Sequence, residues 1–575
     1  MKNKYSFIAV CLICVAVVFY RASYFKSNSG RPFVCTTWDA LGYYGYLPSF
    51  FIYHDAAELK WLPEIDKKYA VTGGQLYQAG KCDNGNYVFN YFGGVAILQS
   101  PFFFAAHWLA GVYGYEKDGF SAPYQYAVAW SAVFYSLLSF FLLRKILLRF
   151  FNDSVTAVSL LLLLLASNFI QYISIDSAMS HSFIFPLYAL ILYSTLKWHE
   201  SPGIKWACLS GFVMGLAAIC RPTELIIFFI PLLWNTHTKE AAKEKWKLVR
   251  ENIKHVFFAI GFAFLGVLPQ LIYWKAITGS FLYDVGSKWE FLSPHFRVLF
   301  GWEKGWFIYT PVALLFVAGL FFVKKFPFRR SVITFCLLNI YIIIAWHDWR
   351  YGASYSCRAL VQSYPVFALP LAALVQRILE TKWKYLLFLS GAYLVVVNFF
   401  QIKQYNSGVL HYNDMNRKYY SRIYLNAHPS ALDMSLLDTD EFLNDESTYG
   451  IKKTTSIDST ISLTIAPYTS ALLQEYELRK GPAKKIVSWI KVETNILIRE
   501  GTWGGYLNSE LQTGDSIKHN KVRLQNAISP MGTSNPYAFY VQVPENFLNG
   551  KLKVSVSSDC QLEGEASKLK VTFFY

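Results

Sequence analysis

The sequence predicts a multi-pass α-helical membrane region followed by a separate all-β sandwich. The chain has 575 residues, of which 54% are hydrophobic, 18% aromatic and only 16% charged. This composition is too apolar for a soluble protein of that size. The long apolar runs extend from Tyr5 to about Ile402, whereas residues 403–575 contain none of the roughly 20 apolar residues that a spanning helix needs.

The apolar runs predict about eleven transmembrane helices with a cytoplasmic N-terminus. Lys and Arg cluster in alternate loops between the runs, and the positive-inside rule places those loops in the cytoplasm. Residues 94–112 are also apolar, but counting them as a span would put Arg144, Lys145 and Arg149 outside. We therefore expect residues 94–112 to form a helix along the outer membrane interface. The predicted spans are 5–21, 125–143, 155–173, 182–197, 204–220, 222–236, 255–273, 307–323, 331–346, 359–376 and 385–402.

The C-terminal region changes from a polar stretch to a period-two pattern. Short alternating segments such as 461–465 and 538–543 are separated by Gly, Asn, Asp and Ser turns. This pattern is typical of an all-β sandwich. The predicted domains are a transmembrane domain at 1–402 with its first exterior loop at 22–124, a connector at 403–455 and a β-sandwich domain at 456–575.

The cysteines indicate no metal site, because the nine of them lack the spacing of metal ligands. Cys35 and Cys82 both lie in the first exterior loop. In an oxidising compartment they would form a disulfide that closes this loop, or remain as two free thiols. The sequence leaves both alternatives open.

The first exterior loop begins with acidic and aromatic residues close to the membrane. Asp39 is followed by Tyr43 and Tyr44, and Asp55 comes shortly afterwards. A carboxylate among aromatic residues at the membrane surface suits a site where a lipid-linked substrate meets a polar one. The alternative is that Asp39 caps the tyrosine-rich helix that follows it.

Three arginines are candidates for binding a phosphate. The planar guanidinium group binds phosphate oxygens in pairs, and Arg221, Arg350 and Arg358 all lie at or near the predicted membrane boundary. The alternatives are an internal ion pair between Arg221 and Glu224, and solvated loop charges for the other two. His181, where a predicted span meets the exterior, is a catalytic candidate or a structural histidine.

Taken in order, these residues resemble the bacterial membrane glycosyltransferases of the GT-C class, which include protein mannosyltransferases and aminoarabinose transferases. The resemblance covers about residues 5–420 and does not include the β region. The segments that carry it are Asp39 with Tyr43, Tyr44 and Asp55; Asn90-Tyr91-Phe92-Gly93-Gly94; Ser180-His181-Ser182; Gly305-Trp306-Phe307; and Trp349 to Arg358.

The resemblance implies transfer of a sugar from a polyprenyl-phosphate donor to a glycan, lipid or protein acceptor on the periplasmic face of a bacterial inner membrane. Asp39 would be the general base, and a pKa raised by the nearby lipid would make it a better one. Asp55 and His181 are further catalytic candidates. The substrate- and phosphate-binding candidates are Arg221, Glu224, Arg350, Arg358, Tyr43 and Tyr44.

The sequence predicts no cofactor, and it leaves the binding of a divalent metal ion as an open alternative. The acid-rich pattern of the family breaks after Asp55, where Ala56 and Ala57 precede Glu58, which argues against a second carboxylate at a metal.

The alternative function is a polysaccharide or lipid-linked sugar transporter or flippase. A transporter would carry charges within its spans and matching interrupted helices in two halves, whereas the acids here cluster in one exterior loop. A nucleotide site is excluded because no Walker loop or G-x-G-x-x-G segment is present. The net charge of +16 is spread between apolar runs, so the expected partners are membrane lipids and not nucleic acids.

Overall fold

The computed structural model describes residues 3–27, 33–478, 486–526, 532–547 and 550–575. It divides into two compact units, Met1–Phe399 and Phe400–Tyr575. The first unit is mainly helical, and the second contains nearly all of the β-structure.

Helices dominate the first 406 residues. Short 3-10 segments at Pro222–Phe228, Leu320–Phe322 and Arg358–Ser363 interrupt them. The helices are α1 (Lys4–Ser27), α2 (Asp39–Tyr44), α3 (Tyr46–Phe51), α4 (Leu62–Tyr69), α5 (Gly94–Val112), α6 (Ala122–Leu147), α7 (Asp153–Leu165), α8 (Phe169–Ser174), α9 (Ser180–Glu200), α10 (Ile204–Ala218), α11 (Phe229–Leu233), α12 (Lys239–Glu251), α13 (Ile253–Thr278), α14 (Arg297–Phe300), α15 (Trp306–Tyr309), α16 (Ala313–Gly319), α17 (Arg329–Ile344), α18 (Tyr364–Leu379) and α19 (Lys384–Asn406).

Six helical segments in the described part of the chain are long and apolar enough to cross a membrane. The chain is therefore a multi-pass membrane protein. The predicted number of eleven spans is not confirmed, because several predicted spans form shorter or interrupted helices. Helix α5, which the sequence predicts to lie along the interface, is among the six, and its placement stays a prediction. The six segments are Lys4–Tyr24, Gly94–Val112, Ala122–Leu147, Ile253–Thr278, Arg358–Leu379 and Lys384–Asn406.

One predicted span, 155–173, is divided into α7 and α8 around a buried asparagine. The side chain of Asn168 donates to the carbonyl of Cys357 at 3.4 Å and accepts from the Tyr364 hydroxyl at 2.7 Å. A buried polar side chain in the membrane region needs partners within the protein, and these distant residues provide them. The interruption thus ties α8 to the segment that precedes α18.

Helices α10 and α13 pack closely because glycines line their contact. A Cβ atom at Gly211 would lie 2.0 Å from the carbonyl oxygen of Ala259, and one at Gly215 would lie 2.1 Å from that of Ala263. Small residues four positions apart allow two membrane helices to approach this closely.

The first exterior loop folds as a small subdomain with its own hydrophobic core. It contains α2, α3 and α4, and a hairpin of β1 (Ala79–Lys81) and β2 (Tyr87–Phe89). The hairpin is antiparallel, with Ala79 opposite Phe89. Its turn contains Asp83-Asn84-Gly85, and Gly85 adopts a positive φ of 89°. The loop therefore holds its side chains on a fixed scaffold.

The loop between α17 and the 3-10 segment at 358 is held by a buried lysine. Lys304 is 4% exposed and its Nζ donates to the carbonyl oxygens of Arg350, at 2.9 Å, and Gly352. Tyr351 and Ser356 have positive φ values of 55° and 56°, which cost energy for residues with a side chain. The loop thus keeps a strained conformation directly before Arg358.

The second unit contains two antiparallel β-sheets that share one hydrophobic core. The four-stranded sheet has the order β5-β10-β7-β8, and the five-stranded sheet has β3-β11-β6-β9 with β4 paired to β11. This confirms the β-rich C-terminal region predicted from the alternating pattern. The strands are β3 (Lys452–Ile457), β4 (Ile461–Ile465), β5 (Thr469–Glu477), β6 (Trp489–Glu500), β7 (Gly505–Thr513), β8 (Ser516–Arg523), β9 (Ser534–Gln542), β10 (Lys551–Ser558) and β11 (Leu562–Phe574).

The segment predicted as a connector packs against the β-sandwich. It contains the short helices α20 (Arg417–Ile423) and α21 (Ala431–Ser435), and the first strand already begins at Lys452. Arg523 on β8 binds the carboxylates of Asp414 at 2.8 Å and Asp438 at 2.7 Å. Residues 403–455 are thus held to the sandwich by ion pairs.

Candidate active site

The candidate site is centred on an ion pair between Asp39 and Arg358. Arg358 Nη2 donates to Asp39 Oδ2 at 2.6 Å, and the two residues are 319 positions apart in the chain. Asp39 is the first residue of α2, and Arg358 begins the 3-10 segment before α18. Both side chains are largely buried, with 17% and 13% exposed. Two residues that the sequence predicts for catalysis and phosphate binding are therefore in direct contact.

Two tyrosines bind the other oxygen of the same carboxylate. The hydroxyl groups of Tyr77 and Tyr91 each donate to Asp39 Oδ1 at 2.7 Å. Tyr77 precedes β1 and Tyr91 follows β2, so both extend the hairpin in register. Neither role was predicted from the sequence. The turn signal of the hairpin at Asp83-Asn84-Gly85 could have paired the two tyrosines.

The expectation that Asp39 has a raised pKa is wrong. Burial raises the pKa of the carboxyl, but the charge of Arg358 and the hydrogen bonds from Tyr77, Tyr91 and Arg358 together lower it below its ordinary value. The helix-cap alternative is also wrong, because Asp39 lies inside the first turn of α2 and no side-chain cap is formed there. Asp39 is an ionised, hydrogen-bonded carboxylate.

A glycine on α2 makes room for one of the tyrosines. A Cβ atom at Gly42 would lie 2.1 Å from Cδ2 of Tyr91, so any side chain there would displace the ring. The same ring packs edge-on against Tyr43, with the ring centroids 4.8 Å apart. Tyr91 is therefore fixed against α2 while its hydroxyl reaches Asp39.

Tyr43 and Tyr44 point to different surroundings. Tyr43 is buried, and its hydroxyl lies within the influence of the charges of Arg221, Asp39 and Arg358. Burial raises its pKa, so it remains a neutral hydroxyl. The hydroxyl of Tyr44 instead donates to the carbonyl of Gly119 inside the exterior-loop core. Of the two, Tyr43 belongs to the site.

Arg221 does not form the alternative ion pair with Glu224. The backbone amide of Glu224 donates to the carbonyl of Arg221 at 3.0 Å, but in the described part of the chain no ion pair within 4.0 Å joins the two side chains. Nη1 of Arg221 is buried there without a hydrogen-bond partner. The guanidinium of Arg221 is nevertheless close enough for its charge to interact with Tyr43 and with His181. A guanidinium nitrogen without a protein partner is able to bind an anion.

Glu224 and His181 are joined by a buried hydrogen-bond chain. Glu224 accepts from the Tyr188 hydroxyl and from Gln362 Nε2 at 3.1 Å, and Gln362 Oε1 lies 2.8 Å from His181 Nδ1. Because Gln362 must present its oxygen to the ring, His181 carries its proton on Nδ1 and leaves Nε2 as an acceptor. Glu224 thus orients His181 through Gln362 instead of binding a phosphate itself.

Asp55 and Arg350 have contacts elsewhere. The carboxylate oxygens of Asp55 accept from the backbone amides of Glu58 at 2.8 Å and Lys60 at 2.7 Å, which stabilises their turn. The Arg350 side chain is exposed and lies 4.4 Å from the ring centroid of Trp349. Nothing in these contacts supports the catalytic and phosphate-binding roles predicted for the two residues.

The two exterior-loop cysteines are free thiols, so the disulfide alternative is wrong. The Cys35 thiol donates to the carbonyl of Gln125 at 3.2 Å, and its backbone amide donates to the side chain of the same residue at 2.8 Å. Burial raises the pKa of the Cys35 thiol to about 12, and also raises that of Cys82. The loop is closed by packing and hydrogen bonds.

A divalent metal does not fit the site as it stands. Within the described ranges, no three His, Cys, Asp or Glu side chains are grouped so that they could hold a metal ion. Asp39 already uses both carboxylate oxygens, and the nearest functional groups are cations and phenols. The arrangement can bind an anion at the arginines and place a carboxylate beside it.

Comparison with known proteins gives no close relative. No protein-family model and no curated protein sequence matches the chain. The archaeal oligosaccharyltransferase AglB from Archaeoglobus fulgidus, solved with an inhibitory peptide and a dolichol-phosphate, has a TM-score of 0.40 and 10% identity, covering 73% of this chain and 57% of its own. The arabinosyltransferase EmbB from Mycobacterium smegmatis has a TM-score of 0.39 and 10% identity, covering 98% of this chain and 68% of its own.

The infectious bursal disease virus structure of the Gx strain has a TM-score of 0.17 and 18% identity. That similarity covers 22% of this chain and 33% of the viral chain. The chain thus spans a third of the viral protein and just over half of AglB. Similarities at this level do not assign the chain to a family.

Proposed function

We propose that this protein is a membrane glycosyltransferase that moves a sugar from a polyprenyl-phosphate donor to a hydroxyl of a glycan, lipid or protein acceptor. The observation that carries the proposal is the contact between Asp39 and Arg358, which come from opposite ends of the membrane region. It brings together a carboxylate that can take a proton and a guanidinium that can bind a phosphate. The order of the GT-C-like segments in the sequence supports the same reaction.

In the proposed reaction, Asp39 is the general base and Arg358 and Arg221 bind the donor phosphate. The acceptor oxygen attacks the anomeric carbon, its proton passes to Asp39, and the polyprenyl phosphate leaves with the electron pair of the broken bond. Attack on the face opposite the phosphate would invert the anomeric centre. His181 Nε2 and Tyr43 would bind the polar substrate beside these groups.

The proposed location is the periplasmic face of a bacterial inner membrane, with the N-terminus in the cytoplasm and the β-sandwich outside. The alternation of basic loops supports this orientation. The strained loop before Arg358 supports a substrate site at the same face, because strain of this kind concentrates at functional sites.

The test is sugar transfer by the purified full-length protein in nanodiscs, using a set of polyprenyl-phosphate sugars as donors. The wild type should release free polyprenyl phosphate only when an acceptor is present, and Asp39→Asn should not. Movement of an intact donor across sealed vesicles, without release of polyprenyl phosphate, would instead identify the protein as a transporter.

A further inference from the structure

Both oxygens of the Asp39 carboxylate accept hydrogen bonds from the protein. Oδ2 binds Arg358, and Oδ1 accepts from both Tyr77 and Tyr91. A carboxylate stabilised by a cation and two phenols is a weak base. Oδ2 has one donor and keeps a second lone pair, so loss of the cation would make Asp39 a stronger base for the proposed function.

The backbones of the two tyrosines are anchored in the exterior loop. Tyr91 lies in the space left by Gly42, and its carbonyl accepts from the Tyr46 hydroxyl at 2.6 Å. The carbonyl of Tyr77 accepts from Asn90 Nδ2 at 2.9 Å, which ties it to the other strand of the hairpin. Both phenols thus belong to the rigid exterior-loop scaffold.

Arg358 lies beside an exposed position without a side chain. A Cβ atom at Gly352 would be only 3.2 Å from Nη2 of Arg358, and Gly352 itself is exposed. An anion can therefore approach the guanidinium from the side of Gly352. The preference of arginine for phosphate over a single carboxylate oxygen comes from its ability to donate two parallel hydrogen bonds.

We infer that Tyr77 and Tyr91 are positioning residues that keep Oδ1 of Asp39 fixed, while Arg358 exchanges Oδ2 for the donor phosphate and thereby frees Oδ2 to act as the base. The inference rests on the proposed function and adds how the base becomes available. The proton of the acceptor hydroxyl goes to Oδ2, the new bond forms at the anomeric carbon, and the phosphate takes the electron pair of the broken bond. The base is therefore strengthened only when a donor is bound.

The ionisable groups around Asp39 determine how its pKa should respond. Arg358 faces it from the 3-10 segment, Tyr77 and Tyr91 from the hairpin, Tyr43 from α2 and His181 from α9. Removing a phenol removes a donor to the charged form, so the pKa of Asp39 should rise. Withdrawal of Arg358 by a donor should raise it as well.

The experiment compares the pH dependence of sugar transfer in full-length wild type, Tyr77→Phe, Tyr91→Phe and the double variant. The acidic limb of kcat/KM should move to higher pH by about one pH unit for each phenol removed. In the wild type, the acidic limb of kcat should lie at higher pH than that of kcat/KM, because kcat reports the donor-bound enzyme. If the acidic limbs of kcat and kcat/KM coincide in the wild type, Arg358 does not exchange its partner. If the acidic limb of kcat/KM does not move in the tyrosine variants, Tyr77 and Tyr91 are not positioning residues.

Tyr69→Phe is the matched control, because Tyr69 donates to the carboxylate of Asp118 at 2.6 Å in the same exterior loop. Its pH profile should equal that of the wild type. A shift as large as that of Tyr91→Phe would contradict the inference, since it would indicate a general effect of losing a phenol.

A second measurement separates this inference from the proposed function. Infrared spectra are recorded as a function of pH for the wild type and for Asp39→Asn. The difference between the two titrations isolates the signal of the Asp39 carboxyl and requires no turnover. Its pKa should rise in Tyr77→Phe, whose half-exposed side chain can be changed without disturbing the core, and on addition of polyprenyl phosphate. Absence of sugar transfer would refute the proposed function alone, whereas an unchanged titration would refute the positioning and exchange.

Discussion

Arg358 donates to Asp39 across 319 residues of sequence, at a distance of 2.6 Å. The contact joins the start of the first exterior loop to the segment that leads into α18. It places a candidate base next to a candidate phosphate ligand, and it leads to the first two predictions.

Asp39→Asn should reduce sugar transfer by about 100- to 10,000-fold, which is the usual range for loss of a general base. The variant also loses the ion pair with a largely buried arginine, so its unfolding free energy should fall by about 1–3 kcal/mol. The measurements are the transfer rate and the thermal unfolding midpoint. Asp66→Asn is the control, because the carboxylate of Asp66 accepts from Thr72 within its own loop, away from the Asp39 site. Wild-type transfer by Asp39→Asn would show that Asp39 is not the base.

Arg358→Lys should weaken donor binding, whereas Arg350→Lys should leave it unchanged. A lysine provides a point charge and cannot donate two parallel hydrogen bonds to a phosphate. Arg350 is exposed beside Trp349, which gives the matched exterior arginine. The measurement is the Kd for a polyprenyl phosphate in nanodiscs. Equal losses for the two variants would contradict the assignment of Arg358 as the phosphate ligand.

Gly42→Ala should lower transfer by at least tenfold, because the new methyl group would overlap the Tyr91 ring and move its hydroxyl away from Asp39. Gly261→Ala, on the membrane helix α13, meets no atom within 4 Å and should behave as wild type. The rates are measured at the pH optimum of each variant. A fully active Gly42→Ala would indicate that the position of Tyr91 is unimportant.

Asp55→Asn should affect stability without abolishing transfer. The variant loses a charged acceptor for the amides of Glu58 and Lys60, at a cost of about 1 kcal/mol. Burial raises the pKa of Asp55, but the backbone hydrogen bonds lower it by a larger amount. The net pKa therefore lies below its ordinary value of about 3.9. The stability difference from wild type should persist above about pH 4 and be lost as the pH falls through the folded-state pKa. Transfer reduced as strongly as in Asp39→Asn would restore a catalytic role for Asp55.

The Cys35 and Cys82 thiols should both be free in protein purified from an oxidising compartment. Alkylation after non-reducing denaturation, followed by peptide mass analysis, should label both residues. In the native protein Cys35 should react slowly, because its high pKa leaves little thiolate at neutral pH. A peptide pair linked through the two cysteines would contradict the free thiols.

The fold was predictable where the signal is local. Hydropathy located the helical segments, and alternation located the β-sandwich, since both patterns depend on neighbouring residues. The division of the span at 155–173 was not predictable, because Asn168 finds its partners near positions 357 and 364. Polar contacts between distant segments leave no periodic trace in a single sequence.

In the candidate site, too, the suitable residues were predictable from the sequence, whereas the contacts between distant segments were not. Asp39 and Arg358 were recognisable as chemically suitable residues beside the membrane, and the structure brings them together. The contacts of Tyr77 and Tyr91 with Asp39 were not predicted, because a hairpin with three-residue strands carries only a weak alternating signal. The charge of Arg358 and the hydrogen bonds of the two phenols together lower the pKa of Asp39, so a prediction without these contacts gave the wrong direction.

The exterior hairpin has a consequence for how this protein tolerates insertions and deletions. Tyr77 and Tyr91 reach the same carboxylate oxygen only because the register pairs Ala79 with Phe89. Many sequences can form the turn between the strands, but one added or removed residue would direct one phenol to the opposite face of the ribbon. The number of residues between the two tyrosines should therefore vary less among functional variants than the identity of the residues that lie between them.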